Sequence, residues 1–118
     1  MPGRHDFPKR VRLLRSTDFR RVYDQGSRFT CPMFAAFCLR GTAQDGPRIG
    51  FTVPRALGKA VRRNRIKRRL REAVRLRLDG LNPSWSIVIN PRSRSLEAPA
   101  AELEREVERL FQRCNGSS

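Results

Sequence analysis

The chain has 118 residues, with 26 lysines and arginines against 11 aspartates and glutamates, a formal net charge of +15. That length suits one domain with a modest core, and 38% hydrophobic residues at a mean hydropathy of -0.61 describe a folded protein with a very polar surface. The imbalance points to nucleic acid first and an anionic membrane surface second; no apolar run is long enough for a membrane span or a signal-peptide core.

The charge is uneven. Residues 1–96 hold 23 basic and 6 acidic residues, net +17, whereas residues 97–118 hold three arginines against five glutamates, net -2. The polyanion-facing surface therefore lies before the C-terminal segment, which reads as scaffold. Cys31, Cys38 and Cys114 are odd in number and show no CxxC spacing, and with the lone His5 they make no conventional zinc site. They read as free thiols of a reducing compartment, the cytoplasm.

In chain order, residues 1–15 form a basic arm with Arg4, Lys9, Arg10, Arg12 and Arg15, loosely ordered over residues 1–8. Ser16 or Thr17 caps a short helix, Asp18 suits its positive end and Gly26 stops it. Phe19 and Tyr23 are i,i+4 neighbours on that helix. Strands follow at Ser27–Thr30, Met33–Arg40 and Arg48–Val53, the last two joined by Gly41–Pro47 as a loose hairpin. Phe34 and Phe37 differ in parity, so they face opposite sides of the sheet; Phe34 and Trp85 are expected in the core.

The richest stretch runs from Arg55 to Leu78, with eleven basic residues and Glu72 as its only acid. Ile66, Leu70, Ala73, Val74 and Leu78 recur at helical intervals, predicting a helix over roughly Lys59–Leu78 with one apolar side. Steps of 100° place Arg62, Asn64, Arg65, Arg68, Arg69 and Arg75 away from that stripe. A solvated charged face normally mixes signs, because like charges at i,i+4 repel by a few tenths of a kcal/mol per pair. Crowding with almost no carboxylate relief makes sense where phosphates neutralise the cluster.

Beyond a turn-rich link at residues 79–83, Trp85–Asn90 reads as a buried strand and Pro91–Arg94 as a basic loop. An amphipathic helix then starts at Pro99, carries Leu103, Val107, Leu110, Phe111 and Cys114 on one stripe, and ends at Gly116. Residues 115–118 are expected to be a flexible tail. The whole is one nucleic-acid-binding domain, residues 1–118, of the α+β class: three helices on a small four-stranded sheet, in the order α-β-β-β-α-β-α.

The segment Leu57–Arg71, with Arg63-Asn64-Arg65 followed by Ile66 and Lys67-Arg68, resembles the signature of the bacterial ribonuclease P protein component. Thr17–Gly26 is similar to that family's N-terminal helix and Arg48–Val53 to its third strand, so the resemblance covers roughly residues 9–113. It implies a fold with a left-handed β-α-β crossover through the basic helix, where general rules favour the right-handed form. It implies a non-catalytic protein subunit of an endoribonuclease. The large RNA binds Mg²⁺ and cleaves the 5′ leader from precursor tRNA, while the protein binds that RNA and the leader.

Carried onto this chain, the resemblance puts Arg62, Arg63, Asn64, Arg65, Lys67, Arg68 and Arg69 on the helix facing the catalytic RNA. Phe19, Tyr23 and Phe37, with Arg20, Arg55 and Lys59, would line the cleft where the single-stranded leader passes. Many members have Ser-Lys-Lys where this chain has Pro54-Arg55-Ala56, so one cation is missing at position 56. Stacked bases on aromatic platforms in a positive channel are worth roughly 1–3 kcal/mol each, an independent argument for such a cleft. On spacing alone, however, an aromatic i,i+4 pair is more often core.

Other classes fit less well. No Ser/His/Asp or Cys/His arrangement is present, and the scattered carboxylates argue against a protein-borne two-metal site. A ribosomal or other structural RNA-binding protein matches the size and charge, and only the Arg63-Asn64-Arg65 core separates it. A DNA-binding helix-turn-helix would need a helix where strand Arg48–Val53 lies, so no DNA partner is expected. A membrane-surface role would need Ile66, Leu70 and Val74 exposed rather than packed.

Overall fold

The computed structural model describes residues 16–40, 48–77 and 85–116. Helix α1 (Ser16–Gln25) leads into β1 (Ser27–Thr30), β2 (Phe34–Arg40) and β3 (Arg48–Phe51). A single 3-10 turn (Arg55–Leu57) opens α2 (Ala60–Arg77); β4 (Trp85–Pro91), the short α3 (Arg94–Glu97) and α4 (Ala100–Gly116) complete the chain. The class is mixed α+β with a four-stranded sheet. The arm at 1–15, the link at 41–47 and the turn at 79–83 lie outside the described residues.

Three expectations need correcting. A fourth helix, α3, forms where a basic loop was expected, and α4 runs through Gly116, so the tail expected from residue 115 is still helical there. The strand order is β1-β2-β4-β3, with β2 antiparallel and β3 parallel to β4. β2 and β3 are consecutive in the chain but are not partners, so no hairpin joins them. β3 and β4 are parallel neighbours connected through α2, a β-α-β crossover made by the basic helix.

The sheet has two unequal faces. On one, Phe29, Phe34, Ala36, Cys38, Ile49, Trp85, Ile87 and Ile89 pack under α2 and α4, which contribute Ile66, Leu70, Ala73, Val74, Leu103, Val107, Leu110 and Phe111. The 3.6-residue stripe of each helix meets the 2-residue alternation of the strands, and this forms the main core. On the other face α1 alone covers a smaller cluster, Val22 and Val88 with the half-buried Phe19, Tyr23, Phe37 and Leu39. The parity argument holds: Phe34 is fully buried in the main core, and Phe37 belongs to the α1 side.

Gly26 sits where α1 meets β2. Its N–H closes the helix on Val22 O at 2.8 Å, and an added Cβ would lie 2.5 Å from that oxygen and 2.8 Å from Cys38 O. Backbone proximity therefore demands glycine here. Cys31, Cys38 and Cys114 are free and buried. A hydrogen bond to Cys114, together with burial, holds the Cys38 thiol protonated well above the usual thiol range.

Candidate RNA interface

The surface that α2 presents follows from its buried stripe. With Ile66, Leu70, Ala73 and Val74 turned inward, Arg62, Asn64, Arg65 and Arg68 stand exposed, while Arg63 and Lys67 flank them half-buried. The first turn of α2 contains no acid. Positive side chains thus stack on the positive end of the helix dipole, a combination that favours an anion alongside.

The entry to α2 is built locally. Gly58 has φ 125°, a region that L side chains rarely adopt, and a Cβ there would meet Arg62 Cδ at 2.6 Å. Arg62 Nε donates to Leu57 O at 2.8 Å and Arg63 Nε to Gly58 O at 3.2 Å. These bonds fix the stems of two arginines and leave the outer guanidinium nitrogens to a partner. Arg55, Ala56 and Lys59 are exposed around this turn.

Arg69 departs from its expected outward placement. Its Nη1 donates to Ser95 O at 2.8 Å and Leu96 O at 2.6 Å, and its Nη2 to Ala98 O at 2.5 Å. The long side chain lies back over α3 and caps the carbonyls at its end. Arg75 also differs, being half-buried and paired with Glu72 at 2.5 Å, which raises its pKa. Arg77 reaches Glu104 at 3.7 Å and Glu108 at 4.0 Å, tying α2 to α4. The acidic C-terminal helix thus meets the far end of the basic one, away from its cationic start.

On the opposite face, α1 lies against the sheet over Val88 and the half-buried rings of Phe19, Tyr23 and Phe37. The registers align Arg28, Phe37, Val88 and Gly50 in one row across the four strands, and Thr30, Ala35 and Asn90 in the next. Thr52 extends that second row, its N–H bonded to Ile89 O at 3.0 Å. Phe37 is met edge-on by Tyr23, with centroids 4.9 Å apart at 73°, and Arg28 lies over its ring at 5.8 Å. Tyr23 Oη donates to Asn90 Oδ1 at 2.7 Å and approaches Thr52 Oγ1 at 3.3 Å.

The expected cleft residues therefore come together only in part. Phe19, Tyr23 and Phe37 share one cluster, half-buried, with Arg20 exposed on α1 beside them. Arg55 and Lys59 lie past the edge strand β3, at the turn into α2. The basic helix and this cluster occupy opposite faces of the sheet, and the Pro54–Lys59 turn joins them around the β3 edge. Reading the sequence missed Asn90, Thr52 and Arg28. The strand registers place all three on the α1 side, and their grouping depends on strand order, which no local pattern shows. Among the described residues, no three His, Cys, Asp or Glu side chains converge as metal ligands.

A family model described as Ribonuclease P matches residues 7–115. The ribonuclease P protein component of Mycolicibacterium vanbaalenii is 39% identical over 117 residues, covering 94% of this chain and 98% of that protein. The one from Symbiobacterium thermophilum is 42% identical over 106 residues, covering 90% and 92%. Among solved structures, the RNase P protein of Thermotoga maritima aligns with a TM-score of 0.76 at 27% identity, covering 86% of this chain and 96% of that one. The Staphylococcus aureus protein aligns with a TM-score of 0.76 at 25% identity, covering 89% and 95%.

Proposed function

This chain belongs to the bacterial ribonuclease P protein family, and from that premise we propose a division of labour between its two faces. The family is the protein subunit of an endoribonuclease that matures the 5′ ends of tRNA, with the RNA subunit carrying catalysis. The partner of this chain is therefore a ribonuclease P RNA. In our reading, Arg62, Arg63, Asn64, Arg65, Lys67 and Arg68 seat that RNA. The groove of Phe19, Tyr23 and Phe37 takes the single-stranded leader of the precursor, and Arg55 and Lys59 hold its phosphates as it rounds the β3 edge.

The observation that carries this reading is the acid-free exposed run Arg62, Arg65 and Arg68, joined around the β3 edge to a half-buried aromatic cluster under α1. A duplex or folded RNA is held through phosphates by such a helix, whereas a single strand is held by stacking on rings. The Mg²⁺ that the cleavage needs would be bound mainly by the RNA. Free buried thiols and the substrate class support a cytoplasmic protein. None of the described helices is long and apolar enough to cross a membrane. The one-sided charge suits RNA, and we assign no DNA or membrane partner.

The test is a cleavage assay at low Mg²⁺ with a bacterial ribonuclease P RNA and a precursor tRNA carrying a short leader. Mature 5′ ends should appear in the mixture and not with protein alone, at a rate above RNA alone. Tight RNA binding without any stimulation would instead mark a structural RNA-binding protein. Tyr23→Ala should weaken binding of the leader-bearing precursor about five- to a hundredfold, from the loss of one stacked base, and mature tRNA far less. Equal losses on both would return Tyr23 to a purely structural role.

A further inference from the structure

We propose that Asn90 reads the identity of one leader base, resting on the leader groove just described. Asn90 Oδ1 is occupied by the Tyr23 hydroxyl at 2.7 Å. What the carboxamide has left is the pair of N–H donors on Nδ2. No protein acceptor for them occurs among the described residues, and the nitrogen is not among the buried polar atoms left unpaired, so it keeps some contact with solvent. The row that carries Asn90 is polar at both ends, Thr30 and Thr52, both exposed, with the small buried Ala35 between Thr30 and Asn90. Tyr23 and Phe37 stand beside it as two rings at 73°.

This arrangement suits a nucleobase better than a phosphate. Phosphates along a basic surface are met by guanidinium and ammonium groups, which this row lacks. A neutral carboxamide held rigidly beside a hydroxyl instead presents a donor next to an acceptor, the form in which Asn and Gln read base edges. Single-stranded RNA exposes such an edge once its base is unstacked onto an aromatic wall. Tyr23 then has two roles: its ring carries the base, and its hydroxyl fixes the amide that reads it. The rigid orientation matters, since a freely rotating carboxamide presents donor or acceptor equally well and discriminates little.

The experiment uses the reconstituted holoenzyme and precursor tRNAs in which each leader position in turn carries A, C, G or U. Each affinity is taken as a ratio to the same protein's affinity for leaderless tRNA, which cancels any general folding defect. At one position, wild type should rank the four bases over roughly a tenfold range, and Asn90→Ala should compress that range to about twofold. Tyr23→Phe keeps the ring and frees the amide, so it should compress the range at the same position, as Asn90→Ala does. A base ranking that survives Asn90→Ala, or a wild type with no ranking at any position, overturns the proposal. A wild type that binds precursor no better than leaderless tRNA would sink the leader groove itself, a separate failure.

Discussion

At the scale of single residues, arginines of one helix split into two kinds that their types do not distinguish. Arg65 and Arg68 point to solvent, whereas Arg69 closes three carbonyls at the end of α3. Helical steps put all three on the outer side, and that much was legible. A long side chain can lie back across its own helix, however, and the angle of its Cα does not reveal where its guanidinium goes. The variants should separate them. Arg65→Ala or Arg68→Ala should each reduce the slope of log K against log salt by about 0.9 and leave stability nearly unchanged. Arg69→Ala should cost about 2–3 kcal/mol in urea denaturation, the loss of charged hydrogen bonds with orphaned carbonyls, while leaving the slope intact. A slope change with Arg69→Ala would show that its guanidinium also meets phosphate. The aromatic parity at Phe34 and Phe37 was legible, because alternation along a strand is a local property. The pairing of Tyr23 with Asn90, 67 residues apart, was not.

At the scale of elements, the amphipathic helices were the most legible parts, since four or more turns repeat one pattern. Ile66, Leu70, Ala73 and Val74 are buried as the spacing requires. α3 was missed for the converse reason: four residues show no period, and the turn is held by an arginine from another helix. The entry to α2 falls between these cases, with Gly58 visible in sequence and its φ of 125° not. Gly58→Ala should cost about 1–3 kcal/mol, from a strained backbone and displacement of the Arg62 side chain. Thermal unfolding would measure it. It should also weaken RNA binding beyond the stability loss, because the Arg62 and Arg63 stems are anchored on Leu57 and Gly58 carbonyls. Wild-type affinity in a folded Gly58→Ala protein would separate the turn from the interface.

At the scale of the molecule, the class and the number of strands were readable, and the strand order was not. Consecutive strands usually neighbour one another, so the link at 41–47 invited a hairpin. The actual order places β4 between β2 and β3, where Ile87, Val88 and Ile89 are fully buried. That order sets the functional geography: β3 becomes an edge, and the loop leaving it turns from the groove side to the basic helix. An RNA strand can then pass from one face to the other along a path of cations without crossing the sheet. The acidic α4 lies at the far end of α2, held through Arg77, so it does not screen the cationic start.

The position of β4 also bears on how the molecule comes into being. The strand at the centre of the sheet is the last to be synthesised, so a nascent chain that stops at residue 84 can form β1 with β2 but leaves β3 with no neighbour. For that interval the apolar stripe of α2 has no completed sheet to cover it. Loop closure across α2 must precede the parallel pairing that rewards it, which makes this a late folding step. In refolding followed by pulsed hydrogen exchange, the amides of Arg48–Phe51 should gain protection together with those of β4 and after those of β1 and β2. Protection of β3 ahead of β4 would mean that the edge strand has found another partner first.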